Sequence, residues 1–377
     1  MSKKRVLIIY RSYFPAQSHL GPATAIKNLV DNMSSDYDFH ILTLNHDFTT
    51  GSRLFAQPHL RVVMPHVVIE YIPRGLKGLR ILAGRLAEEF DVVDIQCAFD
   101  PLLAIPALIL CKLGLAGRSK LFHTPHGIFM DVIMATRRSR KALYCRFTDL
   151  LGLYRNVIHL AGSPGEKRDI DRNHLRRQNV AVVSQFVEPL PAASPRNEKP
   201  RNRLRIAFVG RVTGQKNLTA AIEMLRQLHV PATLDVFGDT IDTDYYERCV
   251  GMIKAGTGPC EIHFKGNVNK ESLLQALPHY DVLLHPTLGE NFGHSIVEAL
   301  HLGLPVLISD HSPWTDVEAS HAGWALPLSN TSAFADKLAA IYAMGEEWSE
   351  LSAGAIQYAR RTFDRSQTAQ RYRGAYG

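Results

Sequence analysis

Cysteine is scarce and without pattern. Five occur in 377 residues, Cys97, Cys111, Cys145, Cys249 and Cys260, and no two of them stand in a CxxC spacing. Neither a disulfide framework nor a thiolate metal or redox site is therefore indicated, and a reducing, cytoplasmic setting is expected. Long apolar runs are missing too. The longest candidate, 101–115, contains Pro101, Pro106 and Lys112 and falls short of the roughly 18 to 20 residues that span a bilayer. The short run Val6–Tyr10 behind Lys3, Lys4 and Arg5 is too brief for a signal peptide and reads as a buried strand. No GxGxxG occurs, which leaves a nicotinamide or flavin site without support. Acidic residues are only slightly outnumbered, 36 against 43 Lys and Arg for a formal charge of +7. Such an excess suits nucleic acid, an anionic membrane or a phosphorylated substrate, and alone it selects none of them.

What is present is the composition of a globular chain, 46% hydrophobic and 21% charged, with length enough for two cores. Short β-branched runs alternate with helical patterns: Val6–Tyr10, His40–Leu44, Asp91–Ile95, Lys120–His123, Val157–Leu160 and Val180–Val183. Alternation of this kind predicts parallel strands with helical crossovers. Around 188–203 the texture changes to Pro, Ala, Ser, Asn and basic residues with little to bury, the mark of a linker. The pattern restarts at Leu204–Val209 and continues through Leu234–Phe237, Ile262–Phe264, Val282–Leu284 and Pro305–Ile308. The expected organisation is an α/β fold: a Rossmann-like domain over 1–187, the linker 188–203, a second Rossmann-like domain over 204–354, and a C-terminal helical segment over 355–377. Two doubly wound domains facing one another would bring the C-terminal strand ends to a central cleft, the usual ligand site of such sheets.

The densest motif follows the strand Val282–Leu284 and runs Gly289, Glu290, Asn291, Phe292, Gly293, His294, Ser295, Ile296, Val297, Glu298. Glu298 sits among apolar neighbours in a short helix, where a carboxylate needs good hydrogen bonds such as a vicinal diol supplies. Glu290 precedes that helix in a glycine-flanked loop, and the amides of 291–294 at the helix start suit an anion. A second motif, Gly210, Arg211, Val212, Thr213, Gly214, Gln215, Lys216, leaves the strand end at Val209. Its two glycines permit close backbone approach, and its two cations could neutralise a diphosphate. It is not a Walker loop: three residues rather than four separate the glycines, and Gln215 precedes the lysine.

Together these motifs resemble the retaining nucleotide-sugar glycosyltransferases of family 4, which have the GT-B fold. The resemblance covers the C-terminal half and, more loosely, the N-terminal half, and it implies that the C-terminal segment 345–377, which carries Trp348, Leu351, Ala355, Tyr358 and Phe363 near helical spacing, crosses back to the N-terminal domain through the helix over 355–377. It implies that Gly210, Arg211 and Lys216 hold the donor diphosphate with Asn291, Phe292, Gly293 and His294, that Glu290 contacts the donor sugar and that Glu298 takes the ribose hydroxyls. His126 in Thr124-Pro125-His126-Gly127 looks like the family's His-Gly pair near the reacting sugar, so His126, Glu290, Arg211 and Lys216 are the expected catalytic group. Gly21 lies where the family carries a Gly-Gly turn, but here Pro22 follows it and removes an N–H. His123 and His126 have no third ligand placed by spacing, so no metal is expected there.

Two further segments carry signals. Ala161-Gly162-Ser163-Pro164-Gly165 nearly matches a hydrolase nucleophile elbow, but Ala161 replaces the first glycine and Ser163 with Glu166 reads better as a capping box. Over 137–155, Arg137, Arg138, Arg140, Lys141, Arg146 and Arg155 face a single acid, Asp149. Leu143, Phe147, Leu150, Leu151 and Tyr154 recur at helical spacing, leaving the cations largely on other faces. This stretch reads either as a helix lying on anionic lipid or as a solvated face over an ordinary core stripe. Nucleic acid is not expected, since no binding module accompanies the charge.

The resemblance therefore implies a retaining transferase that moves a sugar from a nucleotide-diphosphate-sugar to a hydroxyl, on a saccharide or lipid-linked saccharide of a bacterial surface polysaccharide. It implies no cofactor beyond the donor and no required metal, and a cytoplasmic protein, peripheral at the inner membrane face if 137–155 engages lipid. A nucleotide-sugar epimerase on the same fold, or a non-catalytic nucleotide-sugar-binding subunit, are the alternatives.

Overall fold

The computed structural model describes residues 3–16, 20–48, 50–188, 190–191 and 202–377. Ser18 and His19 of the first loop and most of the proline-rich segment lie outside them. Two compact units are formed, one by 1–187 with 365–377 and the other by 188–364.

The first unit contains strands β1 (Lys4–Ile9), β2 (Tyr37–Leu44), β3 (Leu60–Met64), β4 (Val67–Ile72), β5 (Val92–Gln96), β6 (Lys120–Thr124), β7 (Val157–Ala161) and β8 (Asn179–Val182). They form one sheet in the order β3-β4-β2-β1-β5-β6-β7-β8, parallel except for the β3/β4 edge pair. Helices α1 (Leu20–Met33), α2 (Leu76–Leu86), α3 (Ala104–Lys112), α4 (Asp131–Ala135), α5 (Arg138–Leu150) and α6 (Pro164–Asn173) connect the strands. The period-two geometry of a strand explains how the sheet is covered on both sides. In β1, Val6 and Ile8 pack with Ile26 and Leu29 of α1, whereas Leu7 and Ile9 pack with Leu82 of α2 and Leu108 of α3.

The antiparallel edge pair is absent from the sequence reading. β4 carries Glu70 at a fully buried position, held by His40 of β2, His59 and Arg85 of α2. A carboxylate breaks the apolar run, and its partners are scattered along the chain, so the strand is not visible locally.

The second unit has β9 (Leu204–Val209), β10 (Ala232–Phe237), β11 (Cys260–Gly266), β12 (Val282–His285), β13 (Val306–Ser309) and β14 (Gly323–Leu326). All pair in parallel, in the order β11-β10-β9-β12-β13-β14. This is the doubly wound order whose direction reverses between the first and fourth strands, here β9 and β12, and that reversal point is where such sheets take ligands. The helices are α7 (Leu218–Arg226), α8 (Thr243–Lys254), α9 (Lys270–Ala276), α10 (His294–His301), α11 (Thr331–Ala343) and α12 (Glu347–Thr362). β14, four residues long and starting with glycine, gave no usable pattern.

The last helix, α13 (Arg365–Tyr376), belongs to the first unit. The expected single segment over 355–377 is thus divided after Asp364. The part of the C-terminal segment grouped with the N-terminal half is 365–377, while Trp348, Leu351, Ala355, Tyr358 and Phe363 all lie in the second unit: the Trp348 indole donates to the Asp281 carbonyl at 2.9 Å, and Tyr358 donates to Asp316 at 2.6 Å. Tyr372 and Tyr376 of α13 join the first unit's core instead. Among the described residues all five cysteines are free, and no helix is long and apolar enough to cross a membrane.

Candidate active site

The loops leaving β9 and β12 are stitched together by main-chain and amide contacts. The Leu288 amide donates to the Gln215 carbonyl at 2.8 Å, Thr287 Oγ1 donates to the same carbonyl at 3.1 Å, and Gln215 Nε2 donates to the Gly289 carbonyl at 2.9 Å. Ser309 at the end of β13 closes the network on the Thr287 carbonyl at 2.6 Å. The two motifs separated in sequence are therefore one rigid rim at the point where the strand order reverses.

On this rim the Lys216 ammonium forms an ion pair with Glu290. Gly210 stands below the pair: a Cβ there would lie 3.4 Å from the lysine stem. His285, fully buried at the end of β12, contacts the same carboxylate through Nε2 at 3.1 Å. Burial alone would raise the Glu290 carboxyl, but Lys216 and His285 overcome it and hold it well below the usual carboxylate range. Burial lowers His285 while the neighbouring Glu290 opposes this; Nε2–H donates to the Glu290 carboxylate, and the buried Nδ1 has no hydrogen-bond partner among the described residues. Sequence reasoning missed His285, whose position as the last residue of an apolar strand gave only a weak signal.

Gly293 caps α10 at φ 75°, in the left-handed region. A Cβ at that position would come within 2.9 Å of Glu290 Cγ, so the glycine lets the helix start fold directly over the carboxylate. The amides of His294 and Ser295 open the helix and have no carbonyl a turn before them within it. Phe292 is turned inward against Trp314 and Phe363, and its carbonyl accepts from Trp314 Nε1 at 2.5 Å, so it contributes packing and backbone position. Burial, followed by the nearby Lys270, lowers the half-buried His294 to about 4. Asn291 is buried beside it.

Glu298 is on the inner face of α10 and pairs with Lys270, the first residue of α9, another contact absent from the sequence reading. Burial raises its carboxyl and Lys270 offsets this only in part. Arg211 is exposed, with no ion-pair partner among the described residues. Lys216, Glu290 and Gly293 thus come together; Glu298 is held one turn further along α10, and Arg211 stands at the rim.

His126 belongs to the first unit, just beyond β6. Its φ of 55° places it in the left-handed region, and Nε2 is hydrogen-bonded to Gln96 Oε1. Gln96 Nε2 donates to Asp94 at 2.7 Å, which orients the amide oxygen toward the imidazole and fixes the proton on its Nε2. His123 points elsewhere, to His159 at 3.0 Å and the Cys97 carbonyl at 3.0 Å, so the two histidines do not converge. Gly21 is the second residue of α1 and exposed. Ser163 caps α6 by accepting from the Glu166 amide at 3.1 Å with Pro164 in the first turn. The Glu166 carboxylate takes the Gly162 amide at 2.7 Å and the Gly127 amide, tying α6 to the His126 loop.

A sheet edge carrying a neutralised carboxylate, cations and the start of a helix suits an anionic ligand, and known proteins share its setting. Residues 190–362 match the family Glycosyl transferases group 1. The chain is 24% identical over 302 residues to a 41.2 kDa protein in the cps region of Klebsiella pneumoniae, covering 77% of this chain and 78% of that protein. It is 28% identical over 172 residues to WcaL of Escherichia coli K12, named for colanic acid biosynthesis glycosyltransferase activity, covering 44% and 42% respectively. The structure of Anabaena HepE in complex with UDP and glucose superposes with a TM-score of 0.73 at 16% identity, over 99% of each chain. The fold is that of GT-B glycosyltransferases, and the chain is a glycosyltransferase carrying a group 1 domain.

Proposed function

We propose that the protein transfers a sugar from a nucleoside-diphosphate-sugar to a hydroxyl of a saccharide or lipid-linked saccharide in surface polysaccharide synthesis, with retention of configuration and without a divalent metal. The observation that carries this reading is the Lys216–Glu290–His285 cluster under the start of α10. Departure of the nucleoside diphosphate breaks the anomeric C–O bond and leaves negative charge on the phosphate. Lys216, Arg211 and the first-turn amides of α10 are the groups suited to take it up. Glu290 is held ionised, ready to accept hydrogen bonds from donor sugar hydroxyls, and Glu298 is suited to the ribose diol. As the acceptor oxygen bonds to the anomeric carbon on the same face, its proton passes to a departing phosphate oxygen. His126 is assigned a role near the reacting sugar through the family resemblance of the His126-Gly127 pair. The polysaccharide setting draws on the cps-region and colanic acid relatives, and the donor class on the UDP and glucose bound by HepE.

Binding of nucleoside diphosphates and their sugars, read by thermal shift with and without magnesium, tests the donor assignment. A shift for one sugar nucleotide in the presence of chelator, abolished in Lys216→Ala, is the expected result. No shift with any nucleotide would overturn it. Once the donor is known, transfer by Glu290→Ala is expected to fall about 100-fold or more, and the anomeric proton coupling of the product distinguishes retention from inversion. Consumption of donor with no acceptor present would favour the epimerase instead.

A further inference from the structure

Helix α5 is built inside out. Its buried residues are Cys145, Thr148 and Asp149, two of them polar. Asp149 is satisfied there by His174 Nδ1 at 2.9 Å and the Leu175 amide at 2.6 Å. The large apolar residues face outward: Leu143 is 67% exposed, Phe147 46% and Leu150 79%. Spaced four and three apart, they form a single stripe along the helix. Of the stripe expected as core, Leu143, Phe147, Leu150 and Leu151 are therefore exposed, and only Tyr154, beyond the end of the helix, is buried in the first unit's core. Nor are the cations confined to other faces: Arg140 and Arg146 lie three residues to either side of Leu143, beside the stripe, and both are exposed.

More cations gather where α5 ends. The Lys112 ammonium donates to the Gly152 carbonyl at 3.4 Å, and a Cβ on Gly152 would have Lys112 Nζ, Arg176 and Arg155 within 4 Å. The segment's single acid, Asp149, is buried, so no carboxylate from it faces outward with the arginines. No ion pair involves Arg137, Arg138, Arg140, Arg146, Arg155 or Arg176 among the described residues.

We propose that this face of the first unit seats on an anionic lipid membrane, Leu143, Phe147 and Leu150 entering the acyl boundary and the flanking cations meeting lipid phosphates. An apolar stripe flanked by exposed arginines without ion-pair partners is complementary to that surface on both counts. A second copy of the same face would bring like charges together, and a nucleic acid offers nothing apolar for a leucine stripe to enter. The inference is independent of the sugar-transfer reading, since it concerns only partition to lipid.

The experiment is co-sedimentation of the full-length protein with vesicles of phosphatidylglycerol and phosphatidylcholine, against phosphatidylcholine alone. Binding to the anionic vesicles that weakens as salt rises is expected. Phe147→Ser with Leu150→Ser is expected to lower partition about tenfold or more, and Arg140→Ala with Arg146→Ala about fivefold per cation. These side chains are exposed, so the variants should keep the wild-type melting temperature, which is measured alongside. No binding to anionic vesicles, equal binding to neutral ones, or indifference to both variants would overturn the proposal. So would self-association or nucleic-acid binding abolished by the same substitutions while vesicle binding is absent.

Discussion

The Lys216 ammonium and the Glu290 carboxylate are paired although 74 residues separate them in the chain. The side chains are only 19% and 13% exposed, so each is the other's principal neutralisation. Lys216→Ala strands a buried carboxylate, and unfolding stability is expected to fall by about 3 kcal/mol. Adding Glu290→Gln removes the stranded charge and should recover most of that loss in denaturant titrations. Nucleoside diphosphate binding should stay lost in the double variant, because stability returns but the cation does not. Unchanged binding in either variant would show that Lys216 does not hold phosphate.

The pH dependence of stability should carry two opposite contributions. Glu290 is held below its ordinary range in the folded state, so its contribution is present above the unfolded carboxyl value and is lost as pH falls. Asp94, buried at the end of β5, moves the other way. Burial raises it from 3.8 to about 6, against hydrogen bonds from Tyr376, Thr124 and Gln96. Its contribution is therefore complete below 3.8 and is lost as pH rises to about 6, a difference of about 3 kcal/mol. Comparing wild type with Asp94→Asn across this window should reveal a slope that the variant lacks, whatever the variant's absolute stability. Parallel curves would mean that Asp94 titrates alike in the folded and unfolded chain.

Gly293→Ala is expected to affect binding more than folding. The left-handed φ adds about 1 kcal/mol to any L side chain, and the new methyl meets Glu290 Cγ at 2.9 Å and Ile296 Cδ1 at 3.0 Å. Relief requires moving the carboxylate away from Lys216. Weakened donor affinity with a melting temperature lowered by only a few degrees is the outcome calorimetry and thermal shift should report. An unaltered affinity would show that Glu290 does not touch the donor.

Much of this site was legible because its chemistry sits on short glycine-punctuated loops after apolar strands. Gly210, Lys216, Glu290 and Gly293 could be read from type and spacing alone. His285 and Lys270 could not: each makes its contact through tertiary pairing, with Glu290 and Glu298 respectively, and neither belongs to a local pattern. β4 was lost for the same reason, since Glu70 needs three cations or imidazoles from other elements before it fits a buried strand. The α5 stripe has the spacing of a core helix, and periodicity reports which residues share a face without reporting which face is covered. There the buried face is the polar one because Asp149 finds His174 and a free amide behind it.

Helix α13 is the last element whose removal has a definite consequence. Tyr376 is fully buried, its ring tilted against Phe122 at 5.1 Å and edge-on to Tyr37 at 5.7 Å, and its hydroxyl donates to Asp94 at 2.8 Å. Tyr372 stacks on Phe186 at 5.4 Å. Outside, Arg373 pairs with Asp36 and Arg365 Nε donates to Asn32, both beside or within α1. These residues fill the first unit's core from the far end of the sequence, so Tyr376→Ala should cost about 3 to 5 kcal/mol and Tyr376→Phe, which loses only the hydrogen bond, about 1 kcal/mol. The loss should be local. Amide exchange is expected to quicken in β1, β5 and β6, which surround Asp94, while β9, β12 and β13 keep their protection. Equal quickening in both sheets would mean that the two units unfold as one, and unchanged exchange in β5 would mean that Tyr376 does not support Asp94.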